Sequence, residues 1–158
     1  MRRIKITIKG VTPLLMNRFT DAAALAVKQG TSSAIKVKAI QSPRDIAESK
    51  LYRDENGTIY IPSVNLFRSF IDAGTFMKVG KNKLTTQKTS LVSAMVQPVE
   101  ISIFLDSANW EVDERSVVNP ATGGRMMAYR PKFEDWQLTF HLDYDDEVFN
   151  EKALRELV

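Results

Sequence analysis

Apolar and polar residues alternate in three stretches of the chain. Ile4, Ile6 and Ile8 are separated by lysine and threonine, and the same period of two recurs in residues Val99 to Leu105 and Trp136 to Tyr144. A period of two places one set of side chains on a buried face and the other set on a polar face. Each stretch is therefore predicted to be a half-buried β-strand, and the first has a basic outer face.

Two segments in the first third of the chain carry helix signals. Residues 22–27 favour a helical turn because they are mostly alanine. Ser42 precedes Pro43, and Asp45 follows three residues after the serine. This spacing is that of a capping box with proline in the first turn, which predicts a short helix that ends near Lys50.

A longer helix is predicted directly after Pro62. Ser63 is expected to cap its start and Gly74 to follow its end as the C′ residue. Its apolar residues fall at helical spacing and predict a core-facing side, and they are Leu66, Phe67, Phe70 and Ile71.

A terminal helix is expected after Asp145 or Asp146, either of which can cap it. Its apolar residues are Phe149, Ala153, Leu154 and Leu157. The sequence stops inside this pattern without a glycine or polar residue to end the helix. We therefore expect that residues beyond position 158 belong to the same domain.

Turn and loop signals connect these elements. Asn56-Gly57 predicts a type I′ hairpin between Tyr52 and Ile61, since that dipeptide readily supplies two positive φ angles. A second hairpin is predicted from Val117 to Tyr129, with NPATGG at its tip. Residues 76–90 contain four lysines and no acidic residue, so we expect an exposed, flexible basic loop there.

The order of the predicted elements indicates an α+β fold. We expect one domain over residues 1–158, with a ferredoxin-like or RRM-like antiparallel sheet, helices on one face, and inserted loops and a hairpin. The chain has no cysteine, which fits a reducing compartment. It also has neither a signal peptide nor an apolar run long enough to span a bilayer. We therefore expect a cytoplasmic protein of a bacterial or phage-infected cell that does not enter membranes.

The charges are distributed unevenly along the chain. Residues 1–90 hold 16 Lys and Arg against 6 Asp and Glu, whereas residues 91–158 hold 6 against 13. A basic half of this kind is typical of a polyanion-binding face, although a solvated surface with uneven charge would give the same count. Charge alone therefore leaves these two interpretations open.

Few residues suggest catalysis. His141 is the only histidine, and no phosphate-binding loop, dinucleotide fingerprint or nucleophile elbow occurs. The acidic residues around Asp145 lack the spacing of a calcium loop and suit a helix start. We therefore expect no metal, no cofactor and no catalytic residue, with Asp21 as a weak alternative.

Two segments resemble the RAMP superfamily, the RRM-fold subunits that bind CRISPR guide RNA and form the backbone of CRISPR effector complexes. Residues 6–14 (ITIKGVTPL) are similar to the family's first strand with its Thr-Pro-Leu element. Residues 57–70 (GTIYIPSVNLFRSF) are similar to a segment that leads from a hairpin into a helix. Ser63 stands where the family has glycine and Phe67 where it has lysine. The family's glycine-rich loop near the C-terminus is absent, either because the chain ends early or because it belongs to a divergent, phage-borne branch.

The resemblance implies an RNA-binding subunit that assembles side by side along a single strand, as a homo-oligomer or within a larger complex. Lysines and arginines would hold phosphates, while aromatic residues or a hairpin separate groups of bases. We expect the binding residues to be Arg18, Lys28, Lys36, Lys38, Arg68, Lys78, Lys81, Lys83, Lys88, Arg125, Tyr129, Arg130 and Lys132.

Two alternatives remain open from the sequence. The same fold could serve a phage or bacterial protein that binds single-stranded DNA or assembles with itself through its charge asymmetry. The protein could also be a metal-dependent ribonuclease. The resemblance places Asp21 in the region where cleaving members of the superfamily carry an aspartate.

Overall fold

The structure is a computed structural model that describes residues 1–29, 42–119 and 122–158. The strands are β1 (Arg2–Lys9), β2 (Leu14–Leu15), β3 (Tyr60–Pro62), β4 (Lys78–Val79), β5 (Asn82–Lys83), β6 (Val96–Pro98), β7 (Ser102–Phe104), β8 (Glu111–Val118), β9 (Arg125–Phe133) and β10 (Gln137–Tyr144). The helices are α1 (Asp21–Lys28), α2 (Pro43–Glu48), α3 (Ser63–Ala73), α4 (Val92–Met95) and α5 (Glu151–Leu157). The predicted α+β class with antiparallel sheets is confirmed, and it is consistent with a ferredoxin-like fold.

The chain forms two compact units, each assembled from segments that are not contiguous in sequence. Unit 1 contains residues 1–8, 60–106 and 137–158. Unit 2 contains residues 9–59 and 107–136. No helix in the described part of the chain has the length and apolar character needed to cross a bilayer.

The sheet of unit 1 is built around β10, which confirms the strand predicted at the end of the chain. This strand lies between β1 and β6. A bridge between Leu105 and Leu138 places β7 beside β10, and β7 in turn pairs with β3. Four side chains of β10 point inward and are at most 5% exposed, and they are Leu138, Phe140, Leu142 and Tyr144.

Helix α3 covers the inner face of this sheet. Phe70 is buried on α3, and its ring stacks on that of Phe140 with 6.2 Å between centroids. Phe149 and Leu154 are also fully buried in unit 1. The apolar faces predicted for β10 and α3 therefore meet in one core.

The strand predicted over residues 99–105 is wrong in its extent. Residues 99–101 interrupt it, so that β6 and β7 are separate strands. At the break, the carboxylate of Glu100 accepts hydrogen bonds from the His141 amide at 2.9 Å and from its Nδ1 at 2.6 Å. The Glu100 side chain thus takes the place of a main-chain acceptor for the His141 amide of β10. Ile101, the next residue, is 86% exposed.

Unit 2 is built around an antiparallel ribbon of β8 and β9, which confirms and lengthens the hairpin predicted near residues 117–129. Helix α2 packs against both strands, and β2 pairs with β9. The core includes Ala47 and Phe133, each with no exposed surface. The capping box at the start of α2 is confirmed, since Ser42 and Asp45 exchange both expected hydrogen bonds.

Three local predictions about turns and caps are wrong. A type I′ turn needs a positive φ at Asn56, but among the described residues only glycines have a positive φ. The loop is stabilised instead by the Asp54 carboxylate, which accepts hydrogen bonds from the amides of Asn56 and Thr58. Ser63 is the first helical residue of α3 and forms no capping bond. The terminal helix α5 is capped by Asn150, whose side chain accepts from the Ala153 amide, and not by an aspartate.

The end of α3 also differs from its prediction. Gly74 has a right-handed φ of −57° and is therefore not a left-handed C′ residue. A Cβ at this position would lie 2.6 Å from the Thr85 hydroxyl oxygen and 2.9 Å from a Val92 methyl carbon. The glycine is needed because α3 and the following segments approach closely here.

The acidic residues at the end of β10 form ion pairs with β1. Arg3 donates two hydrogen bonds to the Asp143 carboxylate, at 2.7 and 2.8 Å. Asp146 pairs with the Arg2 guanidinium at 2.8 Å and with the terminal amine at 3.4 Å. The hydrogen bonds from Arg3 hold the pKa of Asp143 below its ordinary value.

This pair makes stability depend on pH in a defined direction. Because the folded pKa of Asp143 is lowered, its contribution exists above the unfolded pKa of about 3.9 and is lost as the pH falls through the folded value. We expect Arg3→Gln to lower the melting temperature at about pH 7, and we expect this deficit to shrink as the pH falls through the folded pKa of Asp143, as thermal circular dichroism over a pH series would show. Lys5→Gln, on the same strand, is the matched control. A deficit that persists undiminished in acid would contradict this assignment.

Candidate nucleic-acid interface

The predicted binding residues fall into separate groups. Unit 1 contains Arg68, Lys78, Lys81, Lys83 and Lys88. Unit 2 contains Arg18, Lys28, Arg125, Tyr129, Arg130 and Lys132. Lys36 and Lys38 lie outside the described residues.

The densest group lies on residues 75–90 of unit 1, which we call the basic hairpin. The segment predicted as an exposed, flexible loop contains a short hairpin, since β4 and β5 pair around Gly80, whose φ is +61°. Lys78 is directly opposite Lys83 on the two strands. Directly opposed residues project to the same face, and like charges in that position repel. The hairpin therefore concentrates positive charge and would be stabilised by a bound anion.

All four lysines of the basic hairpin are exposed, as predicted. In the described ranges, no ion pair involves Lys78, Lys81, Lys83 or Lys88. Their ammonium groups are thus available to an external anion. Arg68, which lies on α3, is instead 3.3 Å from the Asp72 carboxylate one turn later.

A hollow of about 480 Å³ lies beside the hairpin strands. It is lined by Thr75, Lys83, Thr85, Thr86, Gln87 and Lys88. These side chains provide ammonium, hydroxyl and amide donors without a carboxylate. Such a set of donors suits phosphate oxygens, which are acceptors only.

Buried anchors hold this hollow in place. Leu84 is 1% exposed and Thr85 is 7% exposed, and the Thr85 hydroxyl is 2.8 Å from that of Ser90. The Thr86 hydroxyl accepts from the amides of Lys88 and Thr89, which closes the turn that carries Lys88. The backbone at Lys83 and Lys88, the two lysines that line the hollow, is therefore fixed by neighbouring buried side chains and hydrogen bonds.

Phe76 is a further candidate contact of the basic hairpin that the sequence analysis does not include among the binding residues. Its side chain is 91% exposed and lies between Thr75, which lines the hollow, and the lysine at the start of β4. An exposed ring next to free cations can stack on an unpaired base. The sequence does place this aromatic residue two positions before a lysine, in Phe76-Met77-Lys78. An aromatic residue beside a helix end is more often part of the core, so this pattern alone does not predict a binding residue.

Among the residues of unit 2 that the structure describes, most cations are already engaged within the protein. Arg18 donates to both carboxylate oxygens of Asp21, at 3.0 and 3.1 Å. Lys132 is 2.6 Å from Glu134 and 3.5 Å from Glu111, and the hydrogen bond with Glu134 raises its pKa. These two predicted contacts therefore have carboxylates as competitors for phosphate.

The remaining residues of that group lie along β9, except for Lys28, which is exposed at the end of α1. Arg125 donates to the Ser116 hydroxyl at 2.9 Å. Tyr129 and Arg130 are half-buried, and the Tyr129 carbonyl accepts from the Lys50 ammonium at 2.7 Å. Burial, with a smaller effect of Arg130, lowers the pKa of Lys50.

The tip of the β8–β9 ribbon carries apolar residues that are not buried. Val118, Met126 and Met127 are 57%, 52% and 45% exposed. Arg125 lies beside them and is exposed as well. Long apolar side chains next to a cation can pack against base faces, which makes the tip a second candidate contact.

Asp21 lies in the first turn of α1 with 87% of its side chain exposed. Both of its oxygens accept from Arg18, which ties the carboxylate to an opposite charge. Over residues 1–29, 42–119 and 122–158, no three acidic or histidine side chains are grouped so that they could hold a metal ion.

No protein-family model matches this chain. No curated protein matches its sequence either.

Proposed function

We propose that this protein binds single-stranded nucleic acid through the basic hairpin of unit 1. The observation that carries the proposal is the hollow lined by Lys83 and Lys88 without a carboxylate. Lys78 and Lys81 are exposed on the same hairpin and extend its charge along a backbone of phosphates. Contacts of this type position a strand without reading its sequence.

The resemblance of residues 6–14 and 57–70 to the RAMP superfamily favours RNA as the strand. In this proposal several copies of the protein bind side by side, as backbone subunits do along a guide. The exposed tip of the β8–β9 ribbon would then insert Met126 and Met127 between groups of bases. The competing proposal is a single-stranded DNA-binding protein that assembles with itself. It uses the same phosphate contacts, so the two proposals differ in whether RNA or DNA binds more tightly.

The binding experiment uses fluorescence anisotropy with unstructured RNA and DNA oligonucleotides of the same base sequence. We expect both to bind and the RNA to bind more tightly. The logarithm of the affinity should fall linearly with the logarithm of salt concentration, by roughly 0.7 per phosphate neutralised. An affinity that does not depend on salt would reject the proposal, and tighter binding of DNA would favour the competing one.

Phe76 provides a second, independent test of the surface. Because base stacking contributes about 1–3 kcal/mol per base, Phe76→Ala should weaken strand binding roughly 5- to 150-fold. The salt slope should stay unchanged, since no charge is removed. Phe19→Ala is the matched control, because Phe19 is an aromatic residue of unit 2 that is 64% exposed. Equal losses in both variants would show that Phe76 has no particular role.

A further inference from the structure

A second hollow lies on the outer face of the unit 1 sheet, on the side opposite the core. It measures about 320 Å³ and is lined by Glu100, Ser102, Phe104, Asp106, Gln137 and Thr139, among others. Because the bridged pair Leu105 and Leu138 points into the core, their neighbours Phe104 and Thr139 point outward side by side. None of these residues belongs to the basic hairpin.

An aromatic wall is exposed in this hollow. Phe104 is 48% exposed, and Tyr60, directly opposite it on β3, meets its ring edge-on with 6.3 Å between centroids. This contact fixes the ring and leaves surface of Phe104 available for stacking. On its other side, the hydroxyls of Thr139 and Thr7 are 2.9 Å apart, which continues the outer face across β10 to β1.

The polar groups around the ring are mainly acceptors. Asp106 uses one oxygen to accept from the Gln137 amide of the main chain at 2.8 Å, and Glu100 accepts from His141. Within the described residues, the Ser102 hydroxyl and the Gln137 side-chain amide form no hydrogen bond. Carboxylates repel phosphate, so this hollow and the basic hairpin differ in the groups that they can take.

We propose that this hollow binds one unpaired nucleobase that carries an exocyclic amino group, stacked on Phe104, and that it discriminates against uracil and thymine. An amino group donates to carboxylate or amide oxygens, as cytosine N4 does to Asp or Glu. The Gln137 amide also donates, which matches the ring nitrogen acceptor beside the amino group. Uracil has a carbonyl oxygen at the amino position, which would set an acceptor against the second oxygen of the Asp106 carboxylate, where an amino group would donate.

A guanidinium group from a protein partner is the other occupant that acidic residues and a ring could suggest. Guanidinium has only donors, so the oxygens of Gln137 and Ser102 would accept from it, but the NH2 group of Gln137 would find no acceptor on it. Phenylalanine is also a weaker cation–π partner than tryptophan. The combination of donors and acceptors therefore favours a base.

The inference rests on the proposed function for its biological setting, and its test separates the two. Cytidine and uridine are the probes, because they share a ring size, differ at the amino position and lack the phosphate that the basic hairpin would bind. We expect NMR titrations to show cytidine perturbing Phe104 and Gln137 at concentrations where uridine does not. Blocked arginine amide is the third probe, and binding of arginine but not cytidine would overturn the inference.

Variants test the same site in the context of a strand. The parent should prefer oligo(C) over oligo(U), and Gln137→Leu should reduce this preference severalfold. Phe104→Leu should weaken binding of both oligomers roughly 5- to 150-fold, whereas Phe104→Tyr should retain it because the ring is kept. Equal binding of oligo(C) and oligo(U) by the parent would overturn the inference, while lysine-dependent binding of both would leave the proposed function intact. If cytidine binds the hollow but no strand binds the protein, the proposed function fails instead.

Discussion

Replacing Lys78, Lys81, Lys83 and Lys88 together by glutamine is expected to reduce affinity for single strands by roughly two to three orders of magnitude at about 0.1 M salt. Each lost phosphate contact removes about 0.7 from the salt slope, so four contacts account for an effect of this size. The slope itself should flatten by up to about 2.8. Anisotropy titrations of parent and variant over a salt series measure both quantities.

The fold should survive these four substitutions, because the lysines are exposed and the described ion pairs include none of them. Exposed substitutions of this kind change stability by about 0.5 kcal/mol or less each, which thermal unfolding would verify. The matched control changes Arg44, Arg53, Lys152 and Arg155 to glutamine, which removes the same charge from surfaces outside both proposed sites. If the two variants lose the same affinity, net charge and not the basic hairpin governs binding.

Gly10→Ala is expected to destabilise the protein by about 3 kcal/mol, the upper end of the usual range for inserting a methyl group into a packed site. A Cβ on Gly10 would overlap the indole nitrogen of Trp136. That nitrogen donates to the Thr12 carbonyl at 2.9 Å, and the Gly10 amide donates to the Trp136 carbonyl at 2.9 Å. Moving the indole would therefore break at least the first of these bonds.

Urea unfolding followed by circular dichroism and by tryptophan fluorescence would measure this loss. Gly124→Ala is the control, since a Cβ there has only an ordinary contact of 3.5 Å with the Thr122 hydroxyl. Gly124 has no positive φ either, so its substitution should change stability by a few tenths of a kcal/mol. A stable Gly10→Ala variant with unchanged fluorescence would show that the indole does not occupy this position.

The period of the apolar residues predicted β10 and α3 correctly, because each of these elements has one apolar face formed by side chains a few residues apart. The alternation around Phe140 and the helical spacing around Phe70 each specify one apolar face, and these faces meet in unit 1. The capping box at Ser42 was predictable for the same reason, because both of its hydrogen bonds are local.

Two of the predictions that failed depended on partners distant in sequence. The break at residues 99–101 exists because Glu100 bonds to His141, forty-one residues later. The need for glycine at position 74 arises from Thr85 and Val92, which pattern analysis cannot place beside it. Pairing of β4 with β5 was missed because two-residue strands have too few positions to show a period.

In the candidate interface too, the exposure of the lysines was predictable from local sequence, whereas the ion pairs were not. Composition alone predicted that the lysines of residues 76–90 would be exposed. Sequence reasoning could not predict that Asp21 occupies Arg18 or that Glu111 and Glu134 occupy Lys132, since pairing depends on geometry. The RNA strand and the role as a RAMP-like subunit remain proposals.

The interleaving of the two units constrains how the protein is made on the ribosome. Unit 1 needs β10 for its core, and this strand is synthesised only after residues 107–136 of unit 2. No single cut of the chain releases either unit in one piece, so a truncated transcript cannot yield unit 1 alone. Phe70 and its neighbours on α3 must therefore wait, with their apolar face uncovered, until translation has passed Tyr144, a period in which the nascent chain is exposed to aggregation.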